Sequence, residues 1–175
     1  MKKRKWTVFL FIGFLAASLS CVKRAPGEAE LQRFPLDSLE GVLTRSGVEF
    51  DRQVSSDGKG SVKITASEGG IFRLFELGDI DIEEAVLVYR ARLRTEDAEG
   101  PVYLEMLCHF EGKGEFFSRG LNSPLRGTVE WTTHEIPFLL KKGENPDNIK
   151  LNIVCEGPGT VWVDDIRLLK RKISK

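Results

Sequence analysis

From residue 48 to residue 169 the chain alternates apolar and polar residues with a period of two, and no stretch in that span carries a helical period. Successive side chains on an extended strand point to opposite faces, so this pattern predicts strands with one face in a core and one outside. Residues 86–94 show it most cleanly. Leu87, Tyr89, Ala91 and Leu93 fall on one face, and Val88, Arg90, Arg92 and Arg94 on the other. Residues 102–110 repeat it, with Val102, Leu104, Met106, Cys108 and Phe110 against Tyr103, Glu105, Leu107 and His109. Further strands are predicted over 48–54, 61–66, 71–77, 115–119, 131–139, 149–155 and 160–169. Gly-rich turns such as Asp57-Gly58-Lys59-Gly60 and Gly157-Pro158-Gly159 separate them. Many short strands at this spacing predict an all-β protein, an antiparallel sandwich or barrel.

The last strand holds two adjacent acids, Asp164 and Asp165, inside the apolar run 160–169. Burying a carboxylate is costly unless something satisfies it. With Trp162, Ile166 and Leu168 taken as inward-facing, Asp164 shares their parity and is the acid that needs a partner.

The formal charge of zero hides an asymmetry. The first twenty residues hold four of the 26 basic residues and no acid, so the remainder carries 22 basic against 26 acidic. A weakly acidic body without a basic stripe excludes nucleic acid as the expected partner. Lys2, Lys3, Arg4 and Lys5 precede an apolar run of about ten residues, too short for a membrane span and suited to a signal peptide. The small residues that follow, ending Ser18-Leu19-Ser20 before Cys21, resemble the lipobox of bacterial lipoproteins, although Ser18 stands where leucine is usual. That resemblance implies cleavage before Cys21, lipidation of Cys21, and anchoring to a bacterial membrane, at the outer membrane or cell surface. The alternative is an ordinary secretory signal that leaves Cys21 as a free thiol. The chain then divides into a signal peptide (1–20), a flexible tether (21–33), a β-sandwich body (34–170) and a basic tail (171–175).

Four segments, in order, are similar to galactose-binding-like jelly rolls, the fold of many carbohydrate-binding modules. They are Gly58-Lys59-Gly60-Ser61-Val62-Lys63-Ile64, the strand 87–94, Gly127-Thr128-Val129-Glu130-Trp131 with Ile136-Pro137-Phe138, and the closing strand 159–169. The resemblance implies a jelly roll over nearly the whole body. It also implies a structural calcium at Asp164, with Asp37, Glu40 or Asp51 as a second carboxylate. Without calcium, Asp164 is expected to accept hydrogen bonds from loop amides.

Cys108 and Cys155 share inward parity. In an exported protein they are a candidate disulfide, or else two buried thiols. The outward parity of the central strands gives a candidate ligand face of Arg90, Arg92, Tyr103, Glu105, His109 and Asn152, with Phe116 or Phe117 as an exposed ring beside it. Planar polar groups and aromatic rings suit sugars. A solvated face on which arginine and Glu105 pair is the alternative. No nucleophile, metal-protease or phosphate-loop motif is present, and only two histidines occur, so no enzyme is expected. The sequence thus points to a membrane-anchored module that binds a glycan, or to an envelope lipoprotein that contacts another protein.

Overall fold

The computed structural model describes residues 27–173. These form nine antiparallel strands: β1 (Glu28–Phe34), β2 (Val48–Asp51), β3 (Ser61–Ala66), β4 (Gly70–Leu77), β5 (Ala85–Phe110), β6 (Gly114–Arg119), β7 (Leu125–Leu140), β8 (Asn148–Cys155) and β9 (Gly159–Arg171). No helix occurs among the described residues.

The strand β5 organises the molecule. Two runs predicted separately, 86–94 and 102–110, are one 26-residue strand. Its first part pairs with β9 and β7, its second with β8 and β6. Between them the inward parity changes. Leu87, Tyr89, Ala91 and Leu93 are buried before the change, and Val102, Leu104, Met106 and Cys108 after it. The register shifts between Thr95 and Ala98, where Asp97 takes φ 49°. An inserted residue of this kind bends and twists a strand. The sheet therefore curls into two facing halves. One half is β2-β3-β9-β5-β7, with β1 on β9; the other is β4-β8-β5-β6. Gly100 lies at the crossing, where an added Cβ would fall 2.5 Å from the Glu156 carbonyl carbon. Only glycine allows that approach.

Between the halves lies one core, drawn from both. Its members include Val62, Ile64, Leu74, Leu104, Met106, Leu151, Ile153, Ile166 and Leu168, as the alternation predicts. Phe72, Trp131 and Phe138, expected inside, are only half-buried.

Three expectations need correction. Residues 28–33 are not tether. They belong to β1, which pairs with β9 from Glu28 opposite Arg171 to Phe34 opposite Ile166. Phe34 then stacks on Phe75 with ring centroids 3.8 Å apart, tying β1 to the edge strand of the other half. The basic tail likewise begins one residue later, since Arg171 is the last residue of β9. The signal peptide, Cys21 and the tether's first residues lie outside the described residues.

Second, Cys108 and Cys155 are free thiols. Cys108 lies opposite Ile149, and Cys155 opposite Val102, at the two ends of the same strand pair. Six residues of strand span about 20 Å, well beyond the roughly 7 Å that a disulfide bridges. Burial pushes both thiols up to about 12, so they stay protonated and pack as small hydrophobes.

Third, Trp162 and Asp164 do not face the core. Val161 and Val163 do, then Ile166 and Leu168. The register against β5 shifts between Arg90 and Arg92, and Asp165 takes φ 45°. This second bulge turns Trp162 and Asp164 outward beneath the 51–57 loop. There Trp162 donates to Asp51 (2.9 Å) and its ring receives Arg94 at 5.0 Å.

Candidate functional site

The six residues of the predicted ligand face divide between two outer faces. Arg90 and Arg92 lie outside the first half; Tyr103, Glu105, His109 and Asn152 lie outside the second. The parity change in β5 separates them, and no reading that assumed one continuous face could join them.

On the second face the register lays side chains in transverse rows. Glu105 sits between Asn152 of β8 and Arg119 of β6, and Asn152 faces Arg73 of β4. Glu105 Oε1 accepts from Asn152 Nδ2 (3.0 Å) and Oε2 from Arg119 Nε (2.6 Å). Glu105 and Asn152 are each only 1% exposed, yet both point away from the core. Asn152 Oδ1 is buried with no hydrogen-bond partner. In the next row Leu107 lies between Lys150 and Phe117. Phe117 is 61% exposed, and the Arg119 guanidinium rests 4.6 Å from its ring centroid. The preceding residue Phe116 is also exposed, so neither ring of the pair enters the core.

The flanks of this face are paired. Lys150 donates to Glu115 (2.6 Å), and His109 Nδ1 meets Asp147 at 2.5 Å. The Tyr103 hydroxyl donates to Glu156 (2.9 Å). Burial, reinforced by the Glu156 carboxylate, raises the Tyr103 pKa, so the phenol stays a donor. The whole forms a platform of one exposed ring and a guanidinium stacked on it, with the buried amide–carboxylate row beneath holding the guanidinium in place. Arg119 was absent from the sequence reading. The alternation of Glu115, Phe117 and Arg119 along β6 was the signal that places it beside Phe117.

The first face is chemically different. Arg90 is not paired with Glu105. Its Nη1 and Nη2 donate to the two oxygens of Glu28 (3.0 Å each), and its Nε and Nη2 to Glu135 (2.9 and 2.8 Å). Arg171 closes the ring on the same two acids. Arg90 therefore has little left to offer a ligand.

Asp164 is 1% exposed, and its oxygens accept from the main-chain amides of Ser56 (2.9 Å) and Asp165 (2.8 Å). Burial raises its pKa, the amides opposing that shift. Calcium needs six to eight oxygens. Among the described residues no cluster of three or more acidic, histidine or cysteine side chains could hold a metal ion. Asp51, one expected partner, is occupied by Trp162, Gln53 and Val54. The loop amides satisfy Asp164, the arrangement expected without calcium.

A cavity of about 510 Å³ lies away from the Glu105 row, and one of its lining residues, Arg33, bonds Asp165. It lies where β1 leaves the sheet, between the stacked Phe34 and Phe75 and the 35–41 loop.

No protein-family model matches this chain, and no curated protein matches it. Solved structures do. The CBM22-1 xylan-binding domain of Paenibacillus barcinonensis Xyn10C superposes with a TM-score of 0.61 at 14% identity, covering 86% of this chain and 100% of that one. The C-terminal family 22 carbohydrate-binding module of Clostridium thermocellum Xyn10B gives 0.60 at 8% identity, covering 87% and 100%. The tandem CBM22-1–CBM22-2 structure of the Paenibacillus protein gives 0.61 at 12%, covering 87% and 48%. The described body thus has the β-sandwich jelly-roll fold seen in carbohydrate-binding modules.

Proposed function

We propose that this chain is a non-catalytic glycan-binding module, held at an extracytoplasmic bacterial membrane surface by a lipid on Cys21. The observation that carries the binding reading is the second outer face. Phe117 offers an exposed ring for stacking on the C–H face of a sugar, and Arg119, exposed and held in place by the buried Glu105, offers planar donors for hydroxyls. The face is open, which suits the interior of a polysaccharide better than a chain end. The family 22 modules that share the fold, one of them named as xylan-binding, support a glycan as the ligand class.

Affinity electrophoresis in gels containing xylan, β-1,4-galactan or mixed-linkage glucan tests this. At least one polysaccharide should retard the protein, and Phe117→Ala and Arg119→Ala should each weaken retardation about tenfold or more. No retardation in any gel overturns the glycan reading. For the anchor, a Cys21→Ser chain should lose palmitate labelling and leave the detergent phase. A second reading, an envelope lipoprotein that contacts another protein, is favoured by the ring of Arg90, Glu28, Arg171 and Glu135 on the first face. That array of matched charges offers no stacking ring.

A further inference from the structure

A cavity of about 280 Å³ opens on the first outer face, lined by Arg90, Arg92, Thr133, Asp165 and Arg167. Its charges balance except at one residue. Arg90 is shared between Glu28 and Glu135. Arg167 pairs with Asp165 and Glu30, and Arg33 holds the second oxygen of Asp165. Arg92 differs. It makes one hydrogen bond, from Nη1 to the Ser56 carbonyl (3.2 Å). Its Nε is buried without any partner. Among the described residues no carboxylate lies within ion-pair distance of it, for Asp164, its cross-strand neighbour, spends its oxygens on main-chain amides.

A guanidinium that lines a cavity without an ion-pair partner is an incomplete site; its Nε is sealed from solvent, so a ligand meets the Nη groups. An arginine fork satisfies a two-oxygen anion with parallel hydrogen bonds. The Thr133 hydroxyl on the same wall can add a donor. The Asp165 carboxylate also lines the cavity, but two arginines already hold it. We propose that this cavity binds an oxyanion, with Arg92 as its principal partner. The volume falls at the lower edge of ordinary ligand pockets, so the ligand is a small anion or a single acidic group. The chemistry is shared by inorganic sulfate or phosphate and by the carboxylate of an acidic sugar.

The test is titration of the full chain in detergent with sulfate, phosphate, glucuronate and, as a neutral control, glucose. Arginine Nε–H NMR signals are the readout. The Arg92 signal should shift saturably with the anions and not with glucose. Glucuronate at least tenfold tighter than sulfate and phosphate would identify an acidic saccharide as the source; the reverse order would identify the free anion. Arg92→Met should weaken binding tenfold or more. Arg92→Lys, which keeps the charge but loses the fork, should fall between, and guards against loss of fold. Exposed Thr133→Val should weaken binding two- to fivefold. Phe117→Ala should leave anion binding unchanged, so failure of the polysaccharide reading and failure of this one are separable. No saturable shift, or undiminished binding in Arg92→Met, overturns the proposal.

Discussion

Two glutamates, Glu28 and Glu105, point outward from opposite halves of the sandwich, and both are almost wholly buried. Each is held by arginine. Their surroundings differ in completeness. Glu28 receives two arginines, which also share Glu135, so every charge in the ring has its complement. Glu105 receives one arginine and one amide, and the amide is left with a bare oxygen. The Glu28 ring closes on itself and fastens β1 to β9, β5 and β7. The Glu105 row stops short and lies beside an exposed aromatic ring. The closed ring is a structural device; the Glu105 row holds Arg119, the exposed member that a ligand can reach.

Truncation should separate them. Glu28→Ala removes the buried member of the ring, leaves Arg90 and Arg171 to share Glu135, and should cost about 3 kcal/mol, the low end for a broken buried pair. Glu105→Ala frees Arg119 into water but orphans the buried Asn152 amide, at about 2 kcal/mol. Urea midpoints of both variants measure the difference. A Glu28→Ala protein that loses no more stability than Glu105→Ala would break the distinction.

The closed ring should also govern acid stability. Burial alone would raise the Glu28 pKa, but hydrogen bonds from Arg171 and Arg90 outweigh it and hold the group below its ordinary 4.5. Hydrogen bonds from Arg171 and then Arg90 likewise outweigh burial at Glu135. A carboxylate depressed in the folded state adds stability above its unfolded pKa and loses it as pH falls through the folded one. Melting temperature should therefore drop between about pH 5 and pH 3, and Glu28→Gln should flatten that drop. Asp164 acts in the opposite sense. Its pKa is raised by burial, so it withdraws stability as pH rises from the usual carboxylate value through the raised one. An unchanged slope in Glu28→Gln would show that the ring does not control acid unfolding.

Much of this comparison was legible in the chain. Alternation alone placed β3 at its observed bounds and put Glu105 and Asn152 on an outward parity. It could not show that parity changes inside β5 and β9. Those changes rest on Asp97 and Asp165 at positive φ, a conformation that aspartate tolerates without announcing it. The bulges moved Arg90 and Arg92 to a different face from Tyr103, and turned Trp162 and Asp164 outward. Glu28 was missed for another reason. Residues 28–33 are polar because β1 lies on the outer part of the sheet, with only Leu31 and Phe34 packing against the core. A strand secured by arginines rather than by apolar side chains has the composition of a linker.

The smallest expected effect compares two unsatisfied groups. Tyr89 is wholly buried on the inner side of β5, and its hydroxyl has no hydrogen-bond partner. Burial raises the pKa of that phenol strongly, so it stays neutral. Like the Asn152 oxygen, it is a desolvated polar atom that returns nothing in the folded state. It lies on the inner side of the sheet and the Asn152 oxygen on the outer side, and neither is open to solvent. Tyr89→Phe keeps the ring, removes the orphan and should stabilise the protein by about 1 kcal/mol, with polysaccharide retardation unchanged. Asn152→Leu removes the other orphan but also the amide that holds Glu105, and through it Arg119, so retardation should weaken. If Tyr89→Phe lowers the melting temperature, the hydroxyl has a partner in solution. The cost of an unsatisfied buried atom would then rest on Asn152 alone.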